Sequence, residues 1–287
     1  MDVTRAGTGG ILKGARQALV RRVTRWLTRE RPSTSTPLCD FEQLAAEIRP
    51  GDVLLVEGRS RVSEVIKAIT QSPWTHSALY LGRLRDIDDP ALRALLQQHH
   101  RGGPNQQLVL EALLGEGTIV APLDKYCNDH LRVCRPRGLS RADARRVIAY
   151  SIRHLGCDYD VRQLLDLARF LFPWALLPRR WRSSLFEHNA GQPTRTVCSS
   201  LIAAAFASVH FPILPVVRRD AGGELRLYKR NFRLYTPRDF DYSPYFEIIK
   251  FPYLQFEDLA VYRHLPWESE VLVDDREPPA GAALRES

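Results

Sequence analysis

Short apolar stretches, separated by turn residues and by helix-like segments, run through the middle of the chain. Apolar runs of strand length predict strands at 53–56, 76–82, 108–114, 131–134 and 246–251. Apolar residues at helical spacing, several of them preceded by a capping residue, predict helices at 40–48, 63–70, 89–100, 140–155 and 197–209. Because no segment repeats, the pattern predicts one α+β domain.

The two ends of the chain differ from the middle in charge. Residues 1–37 carry eight basic and two acidic side chains, and apolar residues at helical spacing within 8–30 predict a basic amphipathic helix. Residues 31–37 are rich in Pro, Ser and Thr and predict a linker. Residues 268–287 carry two basic and six acidic side chains and predict a disordered tail. The folded domain is therefore expected at 38–267.

The basic N-terminal helix suits two kinds of partner. The chain has a formal net charge of +8, and much of this excess lies in the helix and its linker. Such a helix binds an anionic membrane surface, or it docks on the body of the protein. Nucleic acid is not expected, because the aromatic residues do not interleave with a basic stripe.

Composition limits the remaining classes of protein. With 287 residues, of which 44% are hydrophobic, the chain is long enough to bury a large core. Its five cysteines contain no C-x-x-C pair, which favours free thiols in a reducing compartment. No apolar stretch is long enough for a secretion signal or a membrane span. We therefore expect a cytoplasmic protein, peripheral to a membrane if the N-terminal helix binds lipid.

Cys198 is the strongest candidate nucleophile in the sequence. Common catalytic signatures such as G-x-S-x-G, the Walker loop and H-E-x-x-H are absent. Cys198 starts the most apolar predicted helix, where the helix dipole and free backbone N–H groups favour a thiolate and can bind an oxyanion. A buried core cysteine is the alternative interpretation.

His76 and Glu111 are the candidate partners of this thiol. His76 opens a predicted strand, and Glu111 lies in a strand that is apolar on both faces. A carboxylate in that position needs a partner, either an imidazole or one of the many arginines. With Cys198, the two residues form a nucleophile, a base and a carboxylate that orients the base.

Two other assignments are weaker. Cys39 lies just outside a polar helix, where little activates a thiol. His130 stands between Cys127 and Cys134, but these spacings form no complete tetrahedral set. We therefore predict neither a metal nor an organic cofactor.

Several stretches of the chain resemble the permuted papain-like hydrolases of the YaeF/YiiX group, which are relatives of the NlpC-type peptidases. The resemblance covers roughly residues 48–250. Its stretches are RPGDVLLVEG, EVIKAITQSPWTHSALYLG, VLEALLGEGTIVAPLDKY, GCDYD, TVCSSLIAAAF and TPRDFDYSPYFEIIK. The order of a Thr-His strand, a Glu strand and a Cys helix is that of the permuted group, since ordinary papain-like enzymes place the cysteine first.

The resemblance implies a circularly permuted papain-like fold, in which a small antiparallel sheet packs against helices. It implies that Cys198 is the nucleophile, His76 the base and Glu111 the third polar residue. Tyr159 and Trp74 match positions in the wall of the site, with aromatic core packing as the alternative. The segment between Tyr159 and Cys198 is enlarged and is either a lid, a membrane-facing element or a packed surface helix.

The expected activity is hydrolysis of an amide bond, of peptide or peptidoglycan type, through an acyl-enzyme. Relatives that resemble lecithin:retinol acyltransferase transfer acyl chains on lipids, so a thiol acyltransferase or esterase at a membrane surface is one alternative. A lipid-binding module without catalysis is the other. The substrate is thus a small peptide or a lipid-like amide or ester.

Overall fold

The computed structural model describes residues 22, 25–30, 37–113, 116–157, 197–220, 222–254 and 260–265. Its sheet strands are β1 (Val53–Glu57), β2 (His76–Arg83), β3 (Gln107–Leu113), β4 (Gly117–Pro122), β5 (His130–Pro136) and β8 (Phe246–Ile249). These strands form one sheet in the order β4-β3-β2-β1-β5-β8, and every neighbouring pair is antiparallel. Two further strands, β6 (Val216–Arg219) and β7 (Leu225–Tyr228), form a separate antiparallel hairpin.

The helices surround this sheet. They are α1 (Phe41–Glu47), α2 (Arg61–Thr70), α3 (Pro90–His99), α4 (Arg141–Ile152), α5 (Val197–Ser208) and α6 (Pro237–Tyr242). The predicted caps are confirmed: Asp40 accepts from the backbone of Gln43, and Ser140 accepts from the backbone of Asp143. Such a side chain satisfies one of the free N–H groups of the first turn and fixes where the helix begins.

The hydrophobic core lies on both faces of the sheet. On one face, Leu55 and Leu79 belong to a cluster that includes residues of α3, α4 and α5. On the other face, Leu54 and Ala78 pack with Leu44 of α1. Because both faces of β1 and β2 are covered, these strands form the buried centre of the fold, and β2 begins at His76.

The structure differs from the predicted elements in four places. The predicted helix at 140–155 ends at Ile152. The strand at Gly117–Pro122, the hairpin of β6 and β7 and helix α6 were not predicted. The α+β class and the helix-covered antiparallel sheet are confirmed.

The described part of the N-terminal arm lies against the body. Leu27 is buried, and the Arg61 guanidinium stacks over the Trp26 ring at 4.5 Å. The backbones of Glu30 and Ser60 form an isolated antiparallel β-bridge. The rest of this arm, the enlarged segment that precedes Cys198 and the acidic tail lie outside the described residues. The two predicted domain boundaries, at 37/38 and 267/268, therefore stay predictions.

Two kinds of feature are absent from the described residues. No described helix is both long and apolar enough to cross a membrane. In the same part of the chain, no three His, Cys, Asp or Glu side chains are grouped to hold a metal ion.

Candidate active site

His76 and Glu111 meet because of the register of two neighbouring strands. In the β2–β3 pair, Leu79 lies opposite Leu110, so Glu111 is level with Ala78. His76 shares a strand face with Ala78, and diagonal neighbours across a strand pair are within reach of long side chains. The His76 Nε2 atom lies 2.7 Å from the Glu111 Oε2 atom. The imidazole is thus oriented by a carboxylate from the next strand.

The Glu111 carboxylate is held by three donors. Its side chain is fully buried, and the residue is 1% exposed. Lys125 donates to Oε1, while the Tyr126 hydroxyl donates to Oε2, the oxygen that also faces His76. Lys125 and Tyr126 belong to a short 3-10 helix, Leu123–Tyr126, that follows β4. This arrangement leaves the carboxylate little freedom to turn away from the imidazole.

Charge and hydrogen bonding keep Glu111 ionised despite its burial. Burial alone would raise its pKa, but the His76 hydrogen bond and charge, together with Lys125, lower the pKa to about 2. The same carboxylate raises the pKa of the Tyr126 hydroxyl, because burial and a neighbouring negative charge both oppose ionisation of the phenol. Tyr126 therefore stays a neutral donor.

Cys198 reaches the same place from the other side of the sheet. It is the second residue of α5, which packs against β2 and β3, and it is 4% exposed. The His76 side chain and both the backbone and the side chain of Ser77 act on its sulfur as hydrogen-bonding groups that favour the thiolate, and the Ser199 Oγ atom lies 3.9 Å from the sulfur. Since Nε2 of His76 faces Glu111, the other ring nitrogen, Nδ1, is the one available to the thiol.

The thiol and the imidazole shift each other's proton affinity in opposite directions. Burial raises the pKa of Cys198, but the charge and hydrogen bond of His76 and the bonds from Ser77 outweigh it and lower the pKa to about 7. Burial lowers the pKa of His76, whereas Cys198 and Glu111 raise it to about 10. The site therefore favours a thiolate beside an imidazolium, which is the activated form of a cysteine nucleophile.

The other buried cysteines have the opposite electrostatics. Burial raises the pKa of Cys39 to about 11, with a further contribution from the charge of Asp40. Burial also raises the pKa of Cys134 strongly. Both thiols stay protonated at neutral pH, so the alternative nucleophile Cys39 is unfavourable.

Comparison with known proteins is consistent with this geometry. Residues 47–169 match the family described as permuted papain-like amidase enzymes, YaeF/YiiX, the C92 family. The resemblance seen in the sequence is thereby confirmed over this segment. The match contains His76 and Glu111 and ends before Cys198.

Solved structures are also similar to the chain. Among them is the crystal structure of the metalloprotein yiiX from Escherichia coli O157:H7, with 16% sequence identity and a TM-score of 0.40. The similarity covers 70% of this chain and 96% of that protein. No functionally curated protein matched the chain.

Two serines of the candidate site were missed by sequence reasoning. Ser77 and Ser199 are fully buried, and their hydroxyls lie 3.1 Å apart. Ser77 directly follows His76, and Ser199 directly follows Cys198. This position next to a candidate catalytic residue is the sequence signal that could have identified them. Lys125 and Tyr126 were also missed, although they close the stretch VLEALLGEGTIVAPLDKY.

Trp74 lies in the core, and Tyr159 lies outside the described residues. The Trp74 ring stacks on His130 at 5.6 Å, and the Arg132 guanidinium lies over the ring at 4.7 Å. The indole is buried, so in this structure the aromatic packing alternative describes it better than a substrate wall. A separate groove of about 1170 Å³ borders α4 and contains none of the three catalytic candidates.

Ser77→Ala is expected to raise the pKa of Cys198 and to slow turnover about tenfold. The substitution removes a hydroxyl hydrogen bond to the thiolate, and hydrogen bonds to charged groups contribute about 1.5–3 kcal/mol. The measurement is the pH of half-maximal alkylation of Cys198, which should move upward. Ser151→Ala is the matched control, because Ser151 is equally buried but bonds only Val147 within α4. An unchanged alkylation profile in Ser77→Ala would show that Ser77 has no role in activating the thiol.

Proposed function

We propose that the protein is a cysteine hydrolase that cleaves amide bonds, of peptide or peptidoglycan type, through an acyl-enzyme on Cys198. The observation that carries the proposal is the position of His76. Its Nε2 faces the buried Glu111 carboxylate at 2.7 Å, and its other nitrogen is available to the Cys198 sulfur. The match of residues 47–169 to a family of permuted papain-like amidases supports the amide bond as the substrate class.

The first half of the reaction forms a thioester. The Cys198 thiolate attacks the carbonyl carbon of the amide, and the new S–C bond places a negative charge on the carbonyl oxygen. The Cys198 backbone N–H lies in the first turn of α5, where it has no intrahelical acceptor and can donate to that oxygen. His76 then gives the Nδ1 proton to the leaving nitrogen, the C–N bond breaks, and an amine departs.

The second half releases the acid. A water molecule attacks the thioester carbon and gives a proton to the neutral imidazole of His76. The C–S bond breaks, a carboxylic acid departs, and the thiolate and imidazolium are restored. Glu111 does not take the proton, because its low pKa keeps it ionised and because its task is to orient and stabilise the imidazolium.

Intact-mass measurement with a substrate panel tests the proposal. The protein is incubated with peptide amides, including muropeptide-type stem peptides, and in parallel with phospholipid acyl donors. We expect turnover of the peptide panel, a transient acyl adduct on the peptide that contains Cys198, and no turnover by Cys198→Ala. Transfer or release of acyl chains from phospholipids, with the peptides untouched, would instead establish the acyltransferase alternative. Turnover that persists in Cys198→Ala would reject both.

A further inference from the structure

The hairpin of β6 and β7 exposes an unusual surface. All eight of its strand residues are exposed, and the apolar ones are between 38% and 69% exposed. These apolar residues are Val216, Val217, Leu225, Leu227 and Tyr228. An isolated two-stranded hairpin is only marginally stable in water, and contiguous exposed apolar surface marks an interaction site. The hairpin therefore needs a partner.

The apolar side chains project from both faces of the hairpin. Val216 lies opposite Tyr228 on one face, and Val217 lies opposite Leu227 on the other. Neither outer edge of the hairpin pairs with another described strand. A folded protein partner would cover one face and leave the second in water. A lipid interface, in contrast, can surround both faces while the headgroup region keeps the open edges hydrated.

The charge of the hairpin complements an anionic surface. Residues 216–230 carry five basic and two acidic side chains, a net charge of +3. Both acidic residues lie at the turn and are paired with Arg226, whose Nε is 3.1 Å from Asp220 and whose guanidinium is 3.3 Å from Glu224. Arg218 and Arg219 form no salt bridge with any described residue, so their charges remain available to lipid headgroups.

The base of the hairpin is fixed to the body. Lys229 donates to the backbone carbonyl of Ala207, in the last turn of α5, and Arg230 pairs with Asp239. Between the hairpin base and α5 lies a cleft of about 280 Å³, whose lining includes Ala203 and Phe211. The apolar surface thus continues from the strands onto the body, while the hairpin is held in one place.

We propose that the hairpin of β6 and β7 docks the protein onto anionic phospholipid membranes by interfacial burial of its apolar residues between arginines. Arginine and tyrosine side chains are favourable at such an interface, because each can bury an apolar part while its polar end stays in water. Arg218 also stacks over Tyr228 at 6.0 Å. This surface does not rest on the proposed catalysis, since Cys198 lies in the first turn of α5 and the hairpin contacts the last turn, about 15 Å away along the helix axis.

Flotation of the full-length chain with vesicles tests the docking surface. The probe is a vesicle of phosphatidylcholine and phosphatidylglycerol in equal parts, compared with phosphatidylcholine alone. We expect the protein to float with the anionic vesicle only, and less so at high salt. The double substitutions Val217→Ser with Leu227→Ser, and Arg218→Gln with Arg219→Gln, should each lower the bound fraction about tenfold.

Matched controls separate docking from general surface properties. Leu38→Ser removes another exposed apolar side chain, 72% exposed, and Arg145→Gln with Arg146→Gln removes two exposed arginines of α4. Both control variants should float as the wild type does. All variants should keep the wild-type melting temperature and hydrolysis of a soluble substrate, since the changed side chains are exposed.

Three outcomes would overturn the proposal. The wild type does not float, or it floats equally with both vesicles, or the hairpin variants float as well as the wild type. The last result would assign membrane binding to the N-terminal helix instead. Loss of self-association in the hairpin variants, with flotation unchanged, would identify a second copy of the chain as the partner.

Discussion

Alanine at His76 is expected to abolish amide hydrolysis and to make Cys198 unreactive at neutral pH. Burial raises the pKa of this thiol, and the charge and hydrogen bond of His76 are the largest effects that lower it. Without the imidazole, the pKa of Cys198 should rise to at least its ordinary value of 9.0, and the thiolate share at pH 7 should fall about fiftyfold or more. The leaving amine also loses its proton donor, so turnover should fall about ten-thousandfold or more.

Alkylation of each cysteine by iodoacetamide, followed by peptide mass mapping across pH, measures this effect. In the wild type, the rate for Cys198 should rise as the pH passes about 7, where the thiol loses its proton. Hydrolysis should follow the same rise and then fall as the pH passes about 10, where His76 loses its proton. In His76→Ala, alkylation of Cys198 should begin only in the alkaline range.

The chain provides internal standards for this measurement. Cys39 and Cys134 are buried thiols with raised pKa values and should stay unmodified in both proteins. Removal of an exposed histidine in His99→Ala, on α3, should leave the profile of Cys198 unchanged. If Cys198 in His76→Ala still reacts fast at neutral pH with both iodoacetamide and a small neutral thiol probe, the imidazole does not activate it.

Local signals predicted the central elements and the two strands that carry His76 and Glu111. Asp40 and Ser140 are caps whose side chains satisfy backbone groups within three residues, so their effect is visible in the sequence. Glu111 stood out because a carboxylate in a strand that is apolar on both faces needs a partner. The structure places His76 next to it, which was one of the two partners expected.

The unpredicted parts depend on contacts that are distant in the sequence. The hairpin strand at 216–219 has no alternation of buried and exposed residues, because both of its faces are exposed. Serine is a residue type that is mostly exposed, yet Ser77 and Ser199 are fully buried. Their hydroxyls form a hydrogen bond between β2 and α5. Trp74 matched a wall position by resemblance, but its ring is enclosed by His130 and Arg132.

Glu111→Gln is expected to slow turnover about a hundredfold to ten-thousandfold while leaving the fold intact. The amide keeps the shape of the side chain but loses the charge that stabilises the His76 imidazolium, so proton transfer from Cys198 to His76 becomes less favourable. Three donors face this group, and an amide offers only one oxygen to them. The pH of half-maximal alkylation of Cys198 should therefore rise as the activity falls.

The same substitution should change the stability in acid. The folded-state pKa of Glu111 is about 2, below its ordinary value of 4.5, so its ionisation stabilises the fold above that ordinary value. This contribution, of the order of 3 kcal/mol, is lost as the pH falls from 4.5 through about 2. In urea titrations, the difference in free energy of unfolding between wild type and Glu111→Gln should therefore shrink as the pH is lowered through this window.

Glu116→Gln is the matched control for both readouts. Glu116 is an exposed glutamate in the turn just before β4, so its amide should preserve the activity and the acid profile of the wild type. If Glu111→Gln turns over substrate as fast as the wild type, the Glu111 carboxylate has no role in catalysis. Lost activity with an unchanged alkylation profile would separate orientation of the imidazole from stabilisation of its charge. The acid stability profile tests the charge of Glu111 independently of any substrate, because it is set by the interactions of that carboxylate with His76 and Lys125 in the folded chain.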